Sequence, residues 1–377
     1  MNRAAPATSP LILLTAGGTG GHVFPAEALA AELLAQGHRL ALVTDRRGQA
    51  YGGTLGSLAT HRIRAGGLAG RGLGARLGAL GELGIGFLQA RRLLRRLRPA
   101  AVVGFGGYAS VPAMLAAATV GTPTLLHEQN AVLGRANRLL APRVSRIATS
   151  YPEVAHLSAS WHGKVTQTGM PVRGAALAWR GHPYPSLVAD GPLRLLVLGG
   201  SQGARILSEV VPAALARLPE VLRRRIELSQ QCRPEDLEAV RRSYGETGIR
   251  ATLESFFHDA PERMAESHLV IARAGASTVA ELTALGRPSI LVPYPHAIDD
   301  HQTANAHAID EAGGGWLIPQ AAFTADSLAA RLESLFALPG SLTKAAACAH
   351  AAGAPDAAER LAALVTSLIK DSAKVRP

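Results

Sequence analysis

A chain of 377 residues exceeds the roughly 100–200 residues of an ordinary domain, so two domains are expected, each long enough to bury its own core. Apolar residues at 47% against 18% charged exclude a disordered chain, and two cysteines without CxxC or His-rich spacing exclude a disulfide framework or a structural zinc site. The formal charge of +11 favours a polyanionic partner without choosing among nucleic acid, an anionic membrane surface and a phosphorylated substrate.

Residues 11–15 form a short apolar run that leads straight into Gly17-Gly18, which reads as a first strand rather than a signal-peptide core. A helical pattern over 24–36 stops at Gly37, a residue suited to a left-handed cap. Further strands are predicted at 40–44, 101–105, 124–126 and 145–149, the last closing the series. The stretch 99–126 carries no charge, but Gly104, Gly106, Gly107, Pro112, Gly121 and Pro123 cut it into pieces too short to span a membrane. Continuous apolar strands alternating with helices predict a parallel sheet covered on both faces.

Turn formers then take over, with Arg180-Gly-His-Pro-Tyr-Pro185 and Asp190-Gly191-Pro192, so 174–192 reads as a linker after a first domain of 1–173. The rhythm restarts with strands at 193–198, 226–229, 269–272 and 289–292 and with helices from Ala204 and over 277–285. These make a second domain of 193–350, and 351–377 is left as a final Ala-rich helix and tail. The expected class is α/β, two doubly wound units in tandem.

Gly17-Gly18-Thr19-Gly20-Gly21-His22 follows a strand and opens a helix, where glycines let a ligand approach the backbone closely. It lacks the Gly-Lys-Ser/Thr ending of a P-loop, and Gly18-x-Gly20-x-x-Val23 lacks the third glycine of the dinucleotide fingerprint. Asp45 still imitates the acidic residue that holds a dinucleotide ribose, which keeps an NAD-dependent oxidoreductase in view. Gly199-Gly200-Ser201-Gln202-Gly203-Ala204 repeats the design in the second half, with a hydroxyl added at Ser201; a tight turn without a ligand is the alternative for either loop.

Ala274-Gly-Ala-Ser-Thr-Val-Ala-Glu281 opens another helix with small side chains that leave its first-turn N–H groups open to a diphosphate. Glu281, one turn in, suits ribose hydroxyls, or is an ordinary carboxylate complementing the helix dipole. His127-Glu128-Gln129-Asn130 ends a strand at the carboxyl edge, where open parallel sheets bind ligands. Asp299-Asp300 has no companion carboxylate, so no metal is expected there. From Phe87 a basic amphipathic helix carrying Arg91, Arg92, Arg95 and Arg96 suits an anionic membrane surface, or is a solvated face over a core stripe. The lack of interleaved aromatics argues against nucleic acid.

Taken in order, Gly17 to His22, Gly106-Gly-Tyr-Ala-Ser110, His127 to Asn130, Thr168-Gly-Met-Pro-Val-Arg173, Gly199 to Ala204 and Arg273 to Glu281 resemble the MurG family, the peptidoglycan N-acetylglucosaminyltransferases that make lipid II. The resemblance implies a GT-B fold, two Rossmann-like domains facing across a cleft, with no cofactor. It implies UDP-N-acetylglucosamine as donor, held mainly by the second domain. The acceptor would be lipid I, undecaprenyl-pyrophosphoryl-MurNAc-pentapeptide, met by the first domain at the cytoplasmic face of the bacterial inner membrane, with further partners among cell-wall and division proteins.

Carried over by motif, Thr19, Gly20 and Gly21 line the donor sugar or reaction centre and Asn130 lies near the sugar. Arg173 and Ser201 contact the nucleotide, Phe257 offers its backbone to uracil, and Ala276, Ser277, Thr278, Val279 and Ala280 hold the diphosphate. Glu281 holds the ribose and Gln302 the sugar hydroxyls. Lipid contact through 73–87 follows the family's apolar patch, although the glycines there argue against a helix. The implied reaction is inverting, with His22 as first candidate for the general base and Glu128 as second.

Overall fold

The first run of apolar segments pairs as β1 (Leu11–Thr15), β2 (Arg39–Thr44), β3 (Ala59–Arg62), β4 (Ala101–Gly104), β5 (Thr124–Glu128), β6 (Arg146–Thr149) and β7 (Val165–Gln167). The computed structural model describes residues 9–17, 20–45, 52–66 and 73–375. Within these the strands lie in the order β3-β2-β1-β4-β5-β6-β7, every pair parallel. The second run makes β8 (Leu193–Leu198), β9 (Ile226–Gln231), β10 (Arg250–Glu254), β11 (Leu269–Ala272), β12 (Ser289–Leu291) and β13 (Gly315–Leu317), in the parallel order β10-β9-β8-β11-β12-β13. Parallel neighbours need a crossover, so helices cover both faces of each sheet. The strand order reverses between β1 and β4 in one sheet and between β8 and β11 in the other, and these switch points leave a crevice at the carboxyl edge.

Four strands were not predicted: β3, β7, β10 and β13. All lie at sheet edges, and β3, β7 and β10 are exposed or half-buried at every position. An edge strand needs no continuous apolar run, which removes the signal by which β4, β5 and β11 were found. In particular β7 adds a strand beyond 146–149, where the sheet was expected to close.

The first helix, Gly20–Ala35, starts four residues earlier than its apolar pattern, because the motif glycines form its first turn. The helix Leu73–Leu97 also runs through the glycines expected to break it. Gly86 allows close packing, since a Cβ on it would lie 1.8 Å from the Arg64 carbonyl, and Gly66, outside the helix, does the same against the Ala79 carbonyl at 2.8 Å; Gly78, Gly81 and Gly84 face open space. Tertiary contact outweighs the low helix propensity of glycine.

The chain divides into two compact units, Met1–Arg173 with Pro355–Pro377, and Gly174–Ala354. The last helix, Ala357–Val375, is thus part of the first unit rather than a separate tail. Leu361, Val365 and Leu368, spaced along one helical face, join Ile12, Leu14, Leu29 and Leu33 in its core. The segment expected as a linker packs into the second unit: Tyr184 donates to the His268 carbonyl at 2.8 Å and Arg180 to that of Ala284 at 2.6 Å.

Arg287 is the strongest anchor of that segment. Its guanidinium is almost wholly buried and donates to the carbonyls of Ala265, Leu285, Gly286, His182 and Pro183. It thereby closes the carboxyl ends of two helices and ties down 182–183. Arg287→Met, which keeps the volume and removes every donor, is expected to cost the second unit about 3 kcal/mol. Urea unfolding followed through Trp179 and Trp316 would check it.

Candidate active site

At the first switch point the backbone is bared by glycines. A Cβ on Gly17 would lie 2.5 Å from that of Ala109, and Gly106 and Gly107 have φ of +83° and +71°, a region open to glycine without strain. His22, in the first turn of Gly20–Ala35, lies against them: a Cβ on Gly107 would be 3.4 Å from its Nε2. Its Nδ1 lies 3.2 Å from Gln129 Oε1.

Gln129 and its neighbours His127 and Glu128 are fully buried at the carboxyl end of β5. The Gln129 amide nitrogen donates to the carbonyls of Phe105 and His127, both at 3.0 Å, and to His127 Nδ1 at 3.1 Å. His127 Nε2 in turn donates to the Gly169 carbonyl at 3.1 Å. Burial pushes the His127 imidazole down from 6.5 to about 4, so it is neutral at neutral pH.

Glu128 is engaged through both carboxylate oxygens. One carboxylate oxygen accepts from the Asn130 backbone and side chain at 3.0 and 3.2 Å, the other from Gly134 N at 2.9 Å and Asn137 Nδ2 at 2.7 Å. A carboxylate committed to four donors and 1% exposed is an anchor for the loop that follows β5. Asn130, placed by that anchor, is half-buried, as are Gly20 and Gly21, whereas Thr19 lies outside the described residues. The Arg173 guanidinium stacks over the Phe24 ring at 4.1 Å.

At the second switch point the loop after β8 turns through Gly200 and Gly203, with φ of +82° and +69°. Gln231, at the end of β9, clamps it: Oε1 accepts from Gly199 N at 3.1 Å while Nε2 donates to the carbonyls of Gly200 and Ser255. Ser201 stands exposed at the tip, and Phe257 is buried beneath the Arg263 guanidinium.

After β11, Gly275 caps the helix Ala276–Leu285 in an extended conformation without a side-chain cap. The helix begins its own bonding with Val279 N on the Gly275 carbonyl, so the N–H groups of Ala276, Ser277 and Thr278 precede the ladder. Ser277 Oγ is buried and has no hydrogen-bond partner among the described residues. Ala276, Val279 and Glu281 are buried, while Thr278 and Ala280 are half-buried. Asn305, wholly buried, donates to the Ala274 carbonyl, and Arg273 donates to those of Val292 and Pro293, so the approach to the helix is fixed from two sides. Gln302 accepts from Tyr294 N through its amide oxygen at 2.9 Å, which directs its NH2 group elsewhere.

A cavity of about 530 Å³ lies apart from these loops, against Arg194, Glu227, Ser229, Arg250, Thr252 and Arg263. It faces the amino-terminal halves of β8, β9 and β10, the wrong end of a parallel sheet for a ligand held by helix N-termini.

The glycosyltransferase family 28 N-terminal domain matches residues 12–149, and the glycosyltransferase family 28 C-terminal domain matches 194–361. A UDP-N-acetylglucosamine–N-acetylmuramyl-(pentapeptide) pyrophosphoryl-undecaprenol N-acetylglucosamine transferase of Paramagnetospirillum magneticum is 68% identical, across 96% of this chain and 97% of that protein. The protein of the same name from Rhodospirillum rubrum is 60% identical across 94% and 91%. The crystal structure of Acinetobacter baumannii MurG superposes with a TM-score of 0.76 at 29% identity, covering 95% of this chain and 100% of that one. The chain belongs to the MurG family.

MurG-family membership makes it a glycosyltransferase of GT-B fold and decides against the hydride-transfer alternative. Of the residues that hold the motif loops, Glu128 belongs to the expected site, whereas Gln129, Gln231 and Asn137 do not. Gln129 lies within its motif without an expected role, and Gln231 and Asn137 lie outside every motif. The available signal was positional: an amide side chain just past the carboxyl end of an apolar strand has backbone groups within reach.

The His127 shift has a stability consequence. Its pKa is depressed on folding, so its contribution is complete above about 6.5 and is lost as pH falls towards about 4. Melting temperature is expected to drop across that window, and to drop less steeply in His127→Gln. Glu128→Gln, which turns an NH2 towards at least one of the four donors, is expected to destabilise the first unit by about 1–3 kcal/mol, read by thermal denaturation.

Proposed function

We propose that this enzyme transfers N-acetylglucosamine from UDP-N-acetylglucosamine to the C4 hydroxyl of N-acetylmuramic acid in lipid I, forming the β-1,4 bond of lipid II. The observation that carries the reading is 68% identity along nearly both full lengths to a protein whose name states this donor sugar and acceptor. The geometry at each switch point supports the division of labour.

In the second unit, the first-turn N–H groups of Ala276, Ser277 and Thr278 receive the diphosphate, and Ser277 Oγ finds there the partner it lacks among the described residues. Val279 and Ala280 line the same turn. Glu281 takes the ribose hydroxyls, the backbone beside Phe257 takes uracil, and Ser201 completes the nucleotide contacts of this unit. Gln302, with its NH2 turned from the Tyr294 bond, meets the sugar hydroxyls. As the glycosidic bond breaks, charge grows on the departing diphosphate, where fixed amide dipoles stabilise it most.

In the first unit His22 removes the proton of the attacking hydroxyl through Nε2, on the Gly107 side of its ring. Gly20, Gly21 and Asn130 shape the space beside it. Inversion follows because the hydroxyl attacks the face opposite the leaving UDP, without a covalent enzyme intermediate. Glu128 is reassigned from alternative base to anchor, since its lone pairs already serve four donors.

The acceptor is a lipid, and the helix Leu73–Leu97 offers a surface for its membrane. Leu80, Ile85 and Leu88 are exposed, and Arg92, Arg95 and Arg96 follow them in the last turns. Apolar insertion with charge attraction suits peripheral binding at an anionic cytoplasmic leaflet. No helix among the described residues is long and apolar enough to cross a membrane.

Labelled UDP-N-acetylglucosamine with a short-chain lipid I analogue is expected to yield the β-linked disaccharide; binding of donor without product would leave a non-catalytic nucleotide-sugar binder instead. His22→Ala is expected to lower kcat by about 10²- to 10⁴-fold with donor KM little changed. Leu80→Glu with Leu88→Glu is expected to abolish sedimentation with anionic vesicles while turnover of the short-chain acceptor persists.

A further inference from the structure

The hydrogen bonds behind His22 have a direction, and it is set at their far end. The Gly169 carbonyl has no proton to give, so His127 Nε2, 3.1 Å away, carries one. His127 is fully buried and neutral, so its Nδ1 holds a lone pair and accepts from the Gln129 amide nitrogen. The same nitrogen faces the carbonyls of Phe105 and His127. Rotating the amide by half a turn would set its oxygen against three acceptors in a site where Gln129 is 1% exposed. The Gln129 oxygen is therefore held towards His22, and an oxygen that only accepts requires a proton on His22 Nδ1.

We propose that Gln129, oriented by His127 and the Phe105 carbonyl, is a positioning residue that locks His22 in the Nδ1–H tautomer and so places its basic lone pair on Nε2. The nitrogen so prepared is the one beside Gly107, whose missing Cβ keeps that edge of the ring unobstructed by a side chain at 3.4 Å. An amide partner differs from a carboxylate in one respect: it orients the ring without adding a charge that would stabilise imidazolium. The arrangement supplies a base of fixed orientation and tautomer. Its catalytic consequence rests on the assignment of His22 as base given under Proposed function, but the tautomer itself does not.

The test is two-bond 15N–1H correlation of the imidazoles in the full chain, with His22 assigned by His22→Gln. Wild type is expected to show His22 protonated at Nδ1 and bare at Nε2. In Gln129→Met, similar in size but unable to accept, the Nδ1–H population is expected to fall and kcat to fall by about 10²-fold, with donor KM held within about twofold. His127→Phe, which removes the acceptor that orients the amide, is expected to move the tautomer ratio the same way and serves if Gln129→Met does not fold. A wild-type His22 protonated at Nε2, or a tautomer unchanged in both variants, would overturn the proposal. Full turnover by His22→Ala would instead remove the base assignment and leave the tautomer to be decided by the spectra.

Discussion

Parallel pairing is the constraint from which the rest of the structure follows. A parallel neighbour cannot be reached by a tight turn, so each strand is followed by a crossover and all carboxyl ends fall on one edge of the sheet. Where the strand order reverses, two crossovers leave in opposite directions and their first turns open between them. Each sheet has one such point, and each receives two small-residue segments: Gly17 with Gly106-Gly107 in one, Gly199 to Gly203 with Ala274 to Ala276 in the other. The resemblance between the halves is thus a consequence of topology, and their different chemistry comes from the few side chains added to it.

Those side chains are held by buried polar groups that each satisfy several backbone partners. Glu128 accepts from four donors in the loop it begins and the helix after it, Gln231 holds the start of a glycine turn at Gly199 and Gly200, and Arg287 serves five carbonyls. Loops rich in glycine lose much conformational entropy on ordering and offer few apolar contacts in return. Buried hydrogen bonds, costly to leave unmade, are what remains to specify their shape. The same economy explains why Gln129, with its amide enclosed by Phe105 and His127, is more rigidly placed than the residues exposed at the loop tips.

Much of this was legible in the residues themselves. Central strands announced themselves as unbroken apolar runs because both their faces are covered, and the motif glycines marked the places where backbone must be bare. Edge strands β3, β7 and β10 carried no such signal, since half of each is solvent-facing. The glycine-rich stretch from Leu73 reads poorly as a helix, and it is one because Gly86 and Gly66 permit contacts that a side chain would forbid. Local preference could not reveal a compensation made by distant residues.

The sequence by itself determined the two doubly wound units, the positions of the glycine-rich loops and the family to which they belong. Each of these depends on patterns within a few consecutive residues: strand, glycine turn, first helical turn. Only the tertiary structure decided that Glu128 anchors a loop, that Gln129 faces His22, that 182–183 hangs from Arg287 and that the last helix completes the first core. Those are contacts between residues far apart in the chain, and hydrogen-bond direction and burial, which fix their meaning, exist only once the chain has folded.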